Sequence, residues 1–277
     1  MDARNIKNAL LVIAFCGSIA VPFISYTKNI DSVVIPNPPA IDKDTARYTR
    51  QNLRNHFRNL EEHCNGCGVR LVKLSEQAQR AASIINRLLE GSNINQSFDV
   101  YSVDFGPQVL AFTVGGSVIA VSDELIKRVT SDEQLAAILG HEIAHSLAEH
   151  QLDNSHDKRQ KGLSSGIMLL NLAVIAYTGV PLVGDIAEAG AGKLGTGFIL
   201  KYKRAQEYEA DRIGMLLMAN AGYAPDSALH LWKNADMIFG AKSGGGFFST
   251  HPSNKKRFKK LEANLPAAQT LFNKPSR

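Results

Sequence analysis

Ser131-Asp132-Glu133-Gln134-Leu135-Ala136-Ala137-Ile138-Leu139-Gly140-His141-Glu142-Ile143-Ala144-His145-Ser146-Leu147 is the stretch around which the rest of the chain is read. Ser131 followed three residues later by Gln134 makes a capping box. Leu135, Ile138, Leu139, Ile143 and Leu147 then recur at helical spacing, so the stretch reads as one long helix with an apolar face. His141 and His145 are four residues apart and share a face one turn from each other. Both imidazoles can therefore reach one metal ion, and neutral imidazole is a good ligand for Zn²⁺. Glu142, beside the first histidine, is placed to take a proton from a water that the metal acidifies. The plainer reading is two histidines on an ordinary helix. The motif is incomplete until a third ligand is found.

A catalytic zinc needs three protein ligands and an open fourth position. In one arrangement the third ligand is a His ten residues after the first, following a Gly; those positions here are Gln151 and Ala148, so it is absent. His150 is close in sequence but, on a continuing helix, turned away from the face of the pair, and reads as non-ligating. A Glu on a second helix is the other route. Gln206-Glu207-Tyr208-Glu209-Ala210-Asp211 runs on through Ile213, Met215, Leu216, Leu217 and Met218 and stops at Gly222, the pattern of a helix facing a core. Glu207 and Asp211 share a face, so one can bind the metal while the other accepts the N–H of a ligating histidine and fixes its tautomer. Glu209 points elsewhere and reads as a solvated or salt-bridged acid.

Upstream, Ala, Ile and Leu interleaved with Gln and Arg from Leu74 to Leu89 predict an amphipathic helix. Phe98–Val103, Val109–Val114 and Val118–Val121 predict short strands, separated by Gly106-Pro107 and Gly115-Gly116. The order is helix, small three-stranded sheet, long helix, with more helix beyond: an α+β, mainly α-helical class. No internal repeat is visible.

The 277 residues are 44% hydrophobic and 21% charged, which excludes collagen-like, low-complexity and fully disordered classes, and three Cys are too few for a disulfide framework. The net charge of +5 is concentrated at the end. From Lys255 onward there are seven Lys/Arg against Glu262 alone, while the preceding residues sum to −1. This tail reads as a solvated basic helix end or a contact for anionic lipid or an acidic partner. Without stacking aromatics or a known module, no nucleic acid is expected.

Arg4 and Lys7 precede an apolar or small run from Ala9 to Ile24, short for a membrane-spanning helix and suited to a secretory signal or an uncleaved anchor over residues 1–25. Residues 26–70 read as a Pro-rich linker and a helix carrying Cys64-Asn65-Gly66-Cys67, taken as an oxidised structural pair in an exported protein. Ile167 to Val183 is almost wholly apolar and reads either as a buried helix or as a hairpin that dips into a membrane or covers a cleft. The Gly-rich run after it, Gly184 to Gly197, suits a mobile lid.

With these residues in place, the chain resembles the gluzincin peptidases that include HtpX, BepA and the CAAX prenyl endopeptidases. The matching stretches are Leu135 to His145, Arg204-Ala205-Gln206-Glu207-Tyr208-Glu209-Ala210-Asp211, Ala221-Gly222-Tyr223-Ala224-Pro225, and His251-Pro252-Ser253 followed by Arg257. The resemblance covers about Leu74 to Leu261, and it departs at Leu110-Ala111-Phe112-Thr113-Val114-Gly115-Gly116, where the family's strand carries Asn and Pro. It implies a zincin-like catalytic domain over residues 71–265, followed by the basic tail 266–277. It implies one Zn²⁺ on His141, His145 and Glu207, Glu142 as general base, Asp211 behind a ligating histidine, and His251 near the cleft as a transition-state stabiliser or a blocking ligand. Arg257 reads as structural. The activity implied is a zinc metalloendopeptidase acting on unfolded or misfolded proteins of the envelope or membrane. The address implied is exported, periplasmic and at the membrane surface, with the mitochondrial inner membrane as the alternative. A chaperone of the same fold with little proteolysis is the rival from another class.

Overall fold

The computed structural model describes residues 70–148 except 74, 105 and 116, residues 150, 204–239, 251 and 255–274, and the separate positions 35, 47, 50, 51, 54, 55 and 58. The expected targeting segment, the Cys64–Cys67 pair, the apolar run Ile167 to Val183 and the Gly-rich run lie outside the described residues. The described residues fall in one compact unit, Val34–Arg277.

The elements are β1 (Arg70–Val72), α1 (Glu76–Gly91), β2 (Asp99–Asp104), β3 (Ala111–Gly115), β4 (Val118–Ser122), α2 (Asp123–Arg128), α3 (Asp132–Leu147), α4 (Arg204–Asn220), α5 (Asp226–Lys233), α6 (Ala235–Phe239) and α7 (Lys255–Phe272). The class is α+β and mainly helical, as the periodicities predict. Among the described residues the sheet has four strands rather than three, in the order β1-β2-β4-β3. The extra strand, Arg70-Leu71-Val72, is too short to show a period of two. β2 and β4 run parallel with Asp99 opposite Val118, and the other two pairings are antiparallel. β4 is buried along its whole length, while β3 stands at the sheet edge beside α3.

α3 begins where its cap predicts. Ser131 accepts the N–H of Gln134 at 3.3 Å, and the Gln134 side chain accepts the N–H of Thr130, one residue upstream of the expected partner. The helix is not merely apolar on one face, since every residue from Leu135 to His145 is buried. α1, α4, α5 and β3 all pack on it, which accounts for an apolar character running round the helix.

The crossing of α3 and α4 is set by two glycines. A Cβ on Gly214 would fall 2.8 Å from the backbone nitrogen of His141, and one on Gly140 would fall 3.1 Å from the Gly214 carbonyl oxygen. No side chain fits between the two backbones, so the residues that flank this contact on each helix face one another at short range. α4 ends in a Schellman turn: Tyr223 N–H donates to the Met218 carbonyl, Gly222 N–H to that of Ala219, and Gly222 takes φ 73°.

α7 continues from Lys255 through Pro266 to Phe272 without a break at residue 265, and packs on α4 and α5. Among the described residues no helix is long and apolar enough to cross a membrane.

Candidate metal centre

Four donor atoms converge between α3 and α4. His141 Nε2 and His145 Nε2 are 3.0 Å apart, one helical turn from each other as the spacing predicts. From α4, Glu207 brings Oε1 to 3.3 Å from His145 Nε2 and Oε2 to 3.7 Å from His141 Nε2. His251 places Nδ1 3.1 Å from His141 Nε2 and 3.1 Å from Glu207 Oε1. All four residues are buried, and their donor atoms lie within 4.8 Å of one another. Ligands bonded tetrahedrally to zinc at 2.0–2.1 Å stand about 3.3 Å apart, so the cluster has the dimensions of a zinc site.

Proton placement leads to the same conclusion. Asp211 Oδ1 stands 3.0 Å from His141 Nδ1 and takes its N–H. His145 Nδ1 is 2.9 Å from His150 Nδ1, and His150 Nε2 is 3.3 Å from Glu209 Oε2. A carboxylate can only accept, so a neutral His150 carries its proton on Nε2 and can accept at Nδ1 from the Nδ1–H of His145. With a proton on each Nδ1, the two Nε2 atoms, 3.0 Å apart, can both offer lone pairs to one ion. The residues therefore fit zinc.

The carboxylates are held by charge. Arg257, at the start of α7, reaches Glu207 Oε2 at 2.5 Å and grips Asp211 with two nitrogens at 2.8 and 2.7 Å. Its guanidinium lies 4.5 Å from the centre of the Trp232 ring. Burial alone would raise the pKa of both acids. His251, His145 and Arg257 outweigh it at Glu207, and Arg257 and His141 outweigh it at Asp211, so both stay ionised. The same pairing raises the pKa of Arg257 against its burial. Burial holds His145 well below the usual histidine range, which keeps its ring neutral and able to ligate. Burial would lower His251 too, but Glu142 and Glu207 overcome it and push the ring up to about 9 in the metal-free chain.

Glu142 is fully buried beside the cluster. Its Oε1 is 3.2 Å from His251 Nε2, and its Oε2 accepts the backbone N–H of Thr113 at 3.1 Å. The edge strand β3 thus touches the carboxylate directly.

Every expected site residue therefore stands at one centre: His141, His145, Glu207 and His251 in the donor set, with Glu142 and Asp211 against it. Sequence reasoning gave too little to Arg257, Trp232, His150 and Glu209. His150 is outside the donor set, as expected, yet it supports His145. The helix ends at Leu147, capped through Ala148, so His150 does not follow the helical phase of His141 and His145. Arg257 could have been found from its place six residues after His251, in step with buried Leu261 and Ala268.

Two histidines a turn apart, a Glu from a second helix and a carboxylate beside the first histidine define a gluzincin-type zinc centre in a zincin-like domain. The chain belongs to peptidase family M48, whose model matches residues 75–265. Zinc is the metal of that family. The chain is 32% identical over 164 residues to the mitochondrial metalloendopeptidase OMA1 of Schizosaccharomyces pombe, a match covering 59% of this chain and 45% of that protein. It is 27% identical over 210 residues to OMA1 of Saccharomyces cerevisiae, covering 73% and 55%. It is 28% identical over 176 residues to the beta-barrel assembly-enhancing protease of Yersinia pestis, covering 60% and 34%. The chain thus spans from about a third to just over half the length of these relatives.

Proposed function

We propose that the chain is a zinc-dependent endopeptidase acting on unfolded or misfolded membrane or envelope proteins. The observation that carries this reading is the meeting of three donor-bearing side chains with the buried carboxylate of Glu142 against an edge strand. His141, His145 and Glu207 would hold the zinc. When bound, the zinc supplies a Lewis acid that polarises a peptide carbonyl and acidifies water. Glu142 takes the proton of the attacking water and delivers it to the leaving amine. The Thr113 N–H and His251 hold its two oxygens in place for both transfers. An extended peptide added to β3 would pair through main-chain groups, which suits low sequence specificity.

His251 reaches both the donor set and Glu142. As a donor to charge developing on the carbonyl oxygen it would make His251→Ala less active; as a ligand filling the fourth position it would make that variant more active. The names of the relatives favour two addresses. A relative named for beta-barrel assembly suits an exported, periplasmic, membrane-surface protein, and relatives named as mitochondrial suit the alternative address at the mitochondrial inner membrane. Fractionation of the tagged full chain in its own cell separates them. An intact, well-positioned Glu142 weighs against a chaperone without proteolysis.

The test is cleavage of an unfolded model protein such as reduced casein by the zinc-loaded full chain. Glu142→Gln should keep its zinc and lose about 10²–10⁴-fold in rate, and a chelator should abolish cleavage. Unchanged cleavage in Glu142→Gln would defeat the reading.

A further inference from the structure

We propose that His150 and Glu209 form a proton-fixing relay that holds His145 as a metal ligand, so that His150 is a positioning residue of the zinc centre. The proposal rests on the reading of His145 as a zinc ligand. The two ligating histidines are supported differently. Behind His141 stands a buried carboxylate, Asp211, itself clamped by Arg257. Against the Nδ1 of His145 stands a second imidazole, His150 Nδ1 at 2.9 Å, with the ring centroids 5.0 Å apart and the ring planes at 70°.

An imidazole can play this part only in one tautomer. Left alone, His150 could carry its proton on Nδ1 and face the Nδ1–H of His145 with an N–H of its own. Glu209 decides the matter, since its carboxylate 3.3 Å from His150 Nε2 requires the proton there. His150 Nδ1 then accepts, His145 donates, and the Nε2 lone pair of His145 is left for the metal. The backbone is fixed as well: the Gln206 side-chain amide donates to the His150 carbonyl at 3.4 Å. Gln206, Glu207 and Glu209 lie on the first turns of α4, so a single helix supplies a metal donor, the clamp on His150 and the acceptor that sets its tautomer. His150 is buried while Glu209 is 45% exposed, so the relay runs from the metal cavity to the surface.

The distinguishing measurement is zinc affinity by chelator competition on the full chain, with melting of the zinc-free protein as a control for folding. His150→Leu removes the acceptor and should weaken zinc about 10–100-fold. His150→Asn offers its Oδ1 near the position of the lost Nδ1 and should recover most of that loss, to within about threefold of wild type, an outcome that simple packing of an imidazole would not produce. At the surface, Glu209→Gln keeps an accepting oxygen and should bind nearly as wild type. Glu209→Lys puts a donor against Nε2 and should bind several-fold more weakly than Glu209→Gln, with no buried side chain changed should His150→Leu fail to fold. Zinc affinity of His150→Leu within threefold of wild type would overturn the relay, as would His150→Asn binding no tighter than His150→Leu, or equal affinities for the two Glu209 variants. A wild-type chain that bound zinc no more tightly than His145→Ala would instead overturn the ligand assignment beneath it.

Discussion

Arg257 carries more of the centre than any residue outside the donor set. It is buried and makes three contacts to two buried carboxylates, Glu207 and Asp211. Removing one partner of such a cluster leaves the others desolvated without compensation, a change that costs about 3–5 kcal/mol. Arg257→Met should therefore destabilise the zinc-free chain by that order in a urea titration, and Arg257→Lys should recover only part of the loss. The two-pronged grip on Asp211 needs the planar guanidinium, which an ammonium cannot copy. The same logic separates this position from Glu142. That side chain accepts from Thr113 N–H through Oε2, a bond that the amide oxygen of Gln can also accept, but its Oε1 faces His251, so Glu142→Gln should lose rate and cost the zinc-free chain less stability than Arg257→Met does. A double titration of rate and stability across the two positions checks the separation.

At the scale of elements, the centre depends on how closely α3 and α4 approach. Gly214 meets the His141 backbone nitrogen where a Cβ would stand at 2.8 Å. The obstacle is backbone rather than the end of a flexible side chain, so the helices themselves must part. Gly214→Ala should cost about 1–3 kcal/mol of stability. It should also weaken zinc binding, because the donor atoms of α3 and α4 separate with the helices. Chelator competition beside urea denaturation would show both, and a loss of stability with unchanged zinc affinity would mean the helices slide rather than part. This contact also marks how far the sequence could be read. The capping box at Ser131, the apolar period of α3 and the stop at Gly222 are local signals, and the elements built on them stand where their patterns predict. The 4-residue steps from His141 to His145 and from Glu207 to Asp211 carry their own geometry, because a helix fixes it. Three kinds of information were not local. A three-residue strand, β1, has no period; the parallel pairing of β2 with β4 depends on a crossover; and the place of His150 depends on where α3 ends. Arg257 and Trp232 come to the site by tertiary packing of α5 and α7, which periodicity cannot report.

For the whole molecule, zinc and charge pairing both enter stability. In the zinc-free chain the buried carboxylates Glu142, Glu207 and Asp211 face Arg257 and a charged His251, so the fold has cations of its own and should survive loss of the metal. Zinc bound only to the folded chain at 100 times its dissociation constant adds about 2.7 kcal/mol, which in a chain of this size is about 5–10 °C of melting temperature. Chelation should lower the melting temperature by that amount, with a size that depends on free zinc. A chain that unfolds outright on chelation would show that Arg257 and His251 do not compensate the acids. Far from the centre, a second charge cluster ties the start of β2 to the segments before it. Asp99 pairs with Lys73 just after β1 and with Arg50 at 2.6 Å. Burial would raise its pKa, and the bonds from Lys73 and Arg50 outweigh that and lower it. A carboxyl whose pKa is lower folded than unfolded adds stability that is fully present above the unfolded value, about 3.9. That stability disappears as pH falls through the folded value. Both cations are partly exposed, so solvent screening limits the cluster to about 0.5–1 kcal/mol. Asp99→Asn should thus be less stable than wild type by that amount at pH 7. The two should converge as the pH is lowered below 4, and the gap at pH 7 should narrow in 1 M salt, where the Debye length is about 3 Å. Urea midpoints at three pH values and two salt concentrations decide it. A gap that persists at low pH would mean that the side chain of Asp99 contributes through packing rather than through its charge.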